Sequence, residues 1–199
     1  AGWTLFRDKH ARWRGSVNLF VRFMIVLLSA LRSPVVEDPL APTRVTVSLW
    51  RIDQAFASAV PLHRIRSFTD LATINSVIRI GLGRLIRKNG WMPIIQVEAI
   101  SQSGELRSPG KIEIVTRIVG WQDNYVCYVH DIFVEGEAVA VSRMLARIIG
   151  RKGAKVGIDG IAKELGAPTE SPELNVAFLT MIAESEKGRA LAGSARDAA

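Results

Sequence analysis

A single cysteine, Cys127, excludes an internal disulfide framework and any cysteine-based zinc site within the chain. Three histidines, His10, His63 and His130, lie far apart without metal-ligand spacing, so neither a metal nor another cofactor is expected. Basic residues exceed acidic ones, 26 against 19, giving a net charge of +7, yet no run of five or six cations occurs. An excess of that sign favours acidic partners, whether nucleic acid, anionic lipid or an acidic protein surface. The sequence has no Gly-rich phosphate loop and no aromatic-interleaved RNA motif, so nucleic acid is not an expected partner. Long hydrophobic runs are also missing. Spanning a bilayer takes about 20 mostly apolar residues, and Arg22 and Arg32 bracket too few. Internal repeats and low-complexity tracts are absent. What remains is a composition of 48% hydrophobic and 23% charged residues over 199 positions, which suits one globular domain with extensions.

Four regions follow along the chain: a basic leader and hydrophobic helix over 1–33, a Pro-rich linker over 34–43, a domain over 44–150, and a C-terminal helical extension over 151–199. Residues Ala1 to Gly15 carry Arg7, Lys9, Arg12 and Arg14 against one acid, Asp8. That basic, acid-poor character matches the stretch after a mitochondrial presequence, and a mitochondrial, inner-membrane-associated location is expected. Over residues 14–32 the helical projection gathers Arg14, Asn18, Arg22, Ser29 and Arg32 into an arc of roughly 80°. Apart from Ser16, the rest of the circumference is apolar. The alternatives for such an amphipathic helix are packing on its own domain or, as the wide oily face favours, lying against a membrane surface or partner subunits through Phe20, Arg22, Phe23, Met24, Leu27 and Leu31. Pro34, Pro39 and Pro42 then forbid a regular helix.

Beyond the linker, Arg44–Arg51 alternates and is rich in β-formers, which predicts the first strand. A long helix is predicted from Phe68 to Lys88, with Leu71, Ile74, Ile78, Leu82 and Leu85 as its buried stripe and Asn89-Gly90 as its stop. Four strands are predicted next, Met92–Ser101, Lys111–Gly120, Tyr125–Val134 and Ala138–Ile149, parted by Gly- and Asp-containing turns. Ser171-Pro172-Glu173 has the pattern of a helix N-terminus, opening a tail helix to about Glu186.

The segment Ile114-Val115-Thr116-Arg117-Ile118-Val119-Gly120-Trp121-Gln122-Asp123 resembles the third-strand signature of the thioesterase superfamily, in particular the group containing member six. The helix with Gly81, Leu85 and Arg87, and the tail Ser171-Pro172-Glu173-Leu174, resemble the same group; together the resemblance spans roughly 44–187. It implies an α+β hotdog fold: a five-stranded antiparallel sheet wrapped around a long central helix, with the N-terminal amphipathic helix and C-terminal tail as additions. It further implies a dimer and an acyl-CoA thioester substrate. Active relatives carry Asp-x-x-x-His-x-Asn-Asn between the first strand and the helix, where the carboxylate serves as base or nucleophile. Counting back from Arg87, Gly81 and Arg79 places Ala55, Ala59, Pro61 and Leu62 at those positions. None can activate water, so no catalytic residue is expected there.

Fallback carboxylates are Asp53, otherwise an exposed strand-end or turn acid, and Asp70, otherwise a first-turn acid complementing the helix dipole. His63 is the fallback imidazole, otherwise a solvated loop residue. Cys127 has no evident base and reads as a small buried hydrophobe, while Trp121 and Asp123 read as structural residues around a turn. The cations Arg143, Arg147, Arg151, Lys152 and Lys155, with Arg79, Arg84, Arg87 and Lys88, read as a solvated or subunit-facing surface. The resulting expectation is a non-catalytic, thioesterase-like accessory subunit of a mitochondrial inner-membrane complex, such as a respiratory-chain complex or ATP synthase. Its partners would be other subunits rather than acyl-CoA or nucleic acid. The alternatives are an active acyl-CoA thioesterase, and an acyl- or RNA-binding module such as a mitochondrial ribosome component.

Overall fold

The computed structural model describes residues 9–54 and 58–197, with side chains described for 19–54 and 58–191. Helix α1 (Lys9–Arg32) and an extended linker lead into β1 (Thr43–Leu49) and a 3-10 turn at Arg51–Asp53. Helices α2 (Leu62–Arg79) and α3 (Leu82–Asn89) then carry the chain to β2 (Met92–Gln102), and β3 (Gly110–Gln122), β4 (Tyr125–Val134) and β5 (Glu137–Ile149) form a meander. Helices α4 (Ile158–Leu165) and α5 (Val176–Asp197) complete it. The sheet order is β1-β3-β4-β5-β2, every pair antiparallel, so the helical crossover joins the two edge strands. This is the predicted α+β architecture: five antiparallel strands around a helix.

Pleating splits the core between the two faces of the sheet. On β4, Val126, Tyr128, His130 and Ile132 face α2, where Ile65, Phe68 and Ala72 meet Ile112, Ile114 and Ile132. Tyr125 and Cys127 point the other way and pack with Leu145 against Phe178 and Ile182 of α5. Cys127 is buried, as its sequence context predicts. Strand β4 is covered on both sides, which is why Tyr-Val-Cys-Tyr-Val lacks apolar–polar alternation.

Two predicted helices differ in detail. The long helix begins six residues earlier, at Leu62, and breaks at Ile80-Gly81, where Gly81 has φ +82°. A left-handed residue interrupts the hydrogen-bond ladder and turns α3 to a new direction. The stripe shifts with it: Ile65, Phe68, Leu71 and Ala72 are buried beside Thr69, Asn75 and Ser76, while Ile74 and Ile78 are only half-buried. At the other end, Ser171 does not cap the tail helix. Its Oγ accepts the Trp121 amide at 2.8 Å, and Asn175 Oδ1 caps α5 by accepting the Phe178 amide. Gly120 makes that docking possible, because a Cβ there would lie 2.7 Å from Leu174 and 2.9 Å from the Pro172 carbonyl oxygen. Helix α4 has no counterpart among the predicted elements; its Asp159 accepts the Trp121 indole N–H at 2.9 Å.

Helix α1 packs on the domain through Arg22, Val26 and Ala30, spaced four apart and all buried. Arg22, expected to face a membrane surface or partner subunits, instead turns inward onto the domain. Phe20, Ile25, Leu28 and Leu31 face outward. No helix among the described residues is long and apolar enough to cross a membrane.

Candidate functional site

The connection from β1 to α2 is where the resemblance locates chemistry. Ala55 lies outside the described residues. Ala59 is half-buried, Pro61 precedes the first turn of α2, and Leu62 and His63 are exposed within that turn. His63 is thus helical rather than in a loop. The first turn holds no acid, and no side chain caps it.

Asp53 dominates this region, and it is neither exposed nor free. Its carboxylate is 1% exposed and receives two parallel hydrogen bonds from Arg22, at 2.8 Å to Oδ1 and 2.6 Å to Oδ2. Oδ2 also accepts the Trp50 amide at 2.7 Å, and Arg64 Nε stands 3.6 Å from Oδ1. The Arg22 guanidinium lies 4.2 Å from the Trp50 ring centroid and 5.3 Å from that of Phe68. A planar fork matched to a carboxylate and stacked on aromatics is the arrangement in which arginine outperforms lysine. The pair ties α1 to the β1–α2 connection and occupies the acid that could have served as a base. Sequence reasoning missed it because 31 residues separate the partners.

A second group of polar side chains lies between α2 and the sheet. Glu98 on β2 accepts from Thr69 at 2.6 Å and Ser142 at 2.8 Å, and Arg66 stands 3.3 Å from its other oxygen. His130 is enclosed beside Thr116 Oγ1 at 2.9 Å and Thr73 Oγ1 at 3.4 Å, and burial pushes its pKa down to about 4. Asp70, predicted as a first-turn acid, is the ninth residue of α2 and too far along to complement the dipole. Among the described residues it makes no ion pair, and its Oδ1 is buried without a hydrogen-bond partner. Desolvation raises its pKa, helped by Glu98 and opposed by Arg66.

Beside Asp70 is a cavity of about 420 Å³ between α2, α3 and strands β2, β4 and β5. Its wall includes Ile74, Val77, Ile78, Ile94, Tyr128 and Ile148. A wider depression of about 1230 Å³ crosses β1 and β3. Its charges largely pair with one another, Arg44 with Glu113 and Arg107 with Glu105, so the smaller apolar cavity is the better candidate for a ligand. Among the described residues, no cluster of three metal-binding side chains occurs.

No protein-family model matches the sequence, and no curated protein matches it either. Solved structures do. The DHNA-CoA thioesterase of Staphylococcus aureus superposes with a TM-score of 0.57 at 12% identity, covering 74% of this chain and 95% of that one. A probable thioesterase of Escherichia coli gives 0.57 at 12% identity, over 61% and 94%. The 1,4-dihydroxy-2-naphthoyl-CoA thioesterase of Synechocystis gives 0.55 at 10%, over 63% and 95%. Almost the whole of each enzyme is matched, and the chain therefore has the hotdog fold of these thioesterases.

Proposed function

We infer that this protein is a non-catalytic hotdog subunit, in which the β1–α2 connection serves as an anchor for α1 instead of an active-site loop. The state of Asp53 carries the reading. A carboxylate chelated by Arg22, held by a backbone amide and closed off from solvent cannot accept a proton from water or attack a thioester carbonyl. Ala59, Pro61 and Leu62 offer no replacement. Helix α1 leaves Phe20, Ile25, Leu28 and Leu31 exposed, a face suited to contact with other subunits or a membrane surface. That face, the basic leader and the net charge of +7 support the role of an accessory subunit in a mitochondrial inner-membrane complex, a respiratory-chain complex or ATP synthase being the assembly proposed.

One observation favours a second reading, acyl-CoA hydrolysis: among the described residues Asp70 has no ion pair, and it lies beside an apolar cavity. A panel of aliphatic and aromatic acyl-CoAs separates the two. The accessory-subunit reading expects no turnover above the uncatalysed rate from the purified chain, and comigration of the native protein with a large complex in blue-native separation. Turnover abolished by Asp70→Asn, or by Asp53→Asn, would overturn it.

A further inference from the structure

The cavity beside α2 has a composition that selects a ligand class. Among the described residues Asp70 is its only charged lining residue; the others are apolar except for Thr73 and Tyr128. The charges around Asp70 do not balance. Arg66 on α2 stands against Glu98 on β2, and Glu98 also holds Thr69 and Ser142. His130 on β4 is held neutral by burial, and Tyr128 on the same strand keeps its proton for the same reason. Glu98 and Asp70 thus share one cation, Arg66, which leaves one net negative charge, and of the two carboxylates Asp70 is the one that lines the cavity, at the end of the α2 wall nearest its N-terminus. Against apolar walls a partly buried charge of this kind is costly unless something answers it. Asp70 Oδ1 and Glu98 Oε2 are both buried without a hydrogen-bond partner among the described residues, as expected where acceptors outnumber donors.

We propose that this cavity is a binding site for a monocationic amphiphile, an alkyl chain ending in a protonated amine that pairs with Asp70. An anionic head, such as a fatty-acid carboxylate, meets repulsion at Asp70 and finds no lining cation. The size also fits. A volume of about 420 Å³ lies within the range of roughly 300–1,000 Å³ usual for small-ligand sites, which suits an amine with eight to ten carbons. Chain length sets affinity and the head group sets selectivity. The site does not depend on whether Asp53 is silent, and binding is measured without any turnover.

The test is calorimetric titration of the full chain with octylamine, decylamine, decanol and decanoate, each below its aggregation concentration. Decylamine is expected to bind more tightly than octylamine by about an order of magnitude, since each buried methylene contributes roughly a factor of three to four. Decanoate is expected not to bind. Asp70→Asn should weaken decylamine by about tenfold or more while leaving decanol unchanged, because an amide replaces the charge without altering the walls. Decanol thereby reports that the variant is folded, and Ile78→Trp, which fills the cavity, should abolish binding of both. Amine affinity should rise with pH as Asp70 ionises, and that dependence should vanish in Asp70→Asn. Decanoate binding as well as decylamine, or full retention of amine preference in Asp70→Asn, would refute the assignment. So would displacement of bound amine by acyl-CoA at stoichiometric concentration, which would assign the cavity to thioester chemistry.

Discussion

Removing one member of the Arg22–Asp53 pair tests the anchoring role assigned to α1. In Arg22→Met the aliphatic stem still packs against Trp50 and Phe68, but the Asp53 carboxylate loses both bonds of the fork. One backbone donor remains, from Trp50, together with the more distant Arg64. Breaking a buried pair from one side costs about 3–5 kcal/mol, since the remaining charge is stranded in a poorly solvated place. For a chain of this length each kcal/mol lowers the midpoint by roughly 2–4 °C, so a loss of about 10 °C is expected in thermal denaturation. Asp53→Leu alone should cost a similar amount by stranding the guanidinium, whose Nε already has no partner. The double variant Arg22→Met/Asp53→Leu removes both charges together and should recover most of the loss, giving a coupling energy of about 2 kcal/mol or more. Arg22→Lys keeps the charge without the fork and should fall between wild type and Arg22→Met. If Arg22→Met melted within about 1 kcal/mol of wild type, or the two single losses simply added, the pair would not fasten α1 and the reasoning would fail.

Three further outcomes follow from buried groups. His130 has its pKa lowered to about 4 from the ordinary 6.5 of a solvated imidazole, so the unfolded chain binds its proton more readily. Stability should therefore be complete above pH 6.5 and decline as pH falls toward 4, by about 3 kcal/mol at most. Asp70, with its raised pKa, works in the opposite direction at acidic pH, and a denaturation series in His130→Asn should show a shallower slope than wild type between pH 6.5 and 4. Cys127 is enclosed and its thiol is pushed up to about 12, so a thiol reagent at pH 8 should leave the native chain unlabelled and modify it on unfolding; rapid labelling of the folded protein would contradict the packing of α5 on β4. Gly120→Val puts a side chain against Leu174 and the Pro172 carbonyl in a backbone conformation that favours glycine. It should destabilise by about 2–3 kcal/mol and speed proteolysis at residues 167–175, and unchanged cleavage there would count against this docking.

Much of the fold can be read from local pattern. Strand β4 has the same bounds in sequence and structure, and the other strands differ by at most two residues at either end, because β-formers and turn residues act over short distances. The hotdog arrangement follows from the order of one strand, a helix and a meander. Less local features did not follow. Periodicity in α2 places the apolar residues correctly on a helix but cannot say that Thr69, Asn75 and Ser76 belong inside, since buried polar groups are admitted by partners such as Glu98 on another element. Ser171 has the local appearance of a cap, yet its hydroxyl is taken by Trp121, 50 residues away in sequence.

The candidate site divides along the same line. Sequence alone establishes that Ala59, Pro61 and Leu62 carry no acid–base chemistry, since the identity of a side chain settles which protons it can exchange. It also supplies Asp53 and Asp70 as the nearby carboxylates. Their different fates are tertiary: α1 brings Arg22 onto Asp53, while Asp70 lies beside an apolar cavity, without an ion pair among the described residues, and shares Arg66 with Glu98 as its nearby cation. A carboxylate's reactivity depends on solvation and on neighbouring charge, and both are properties of the folded surroundings, which no residue carries in its own name.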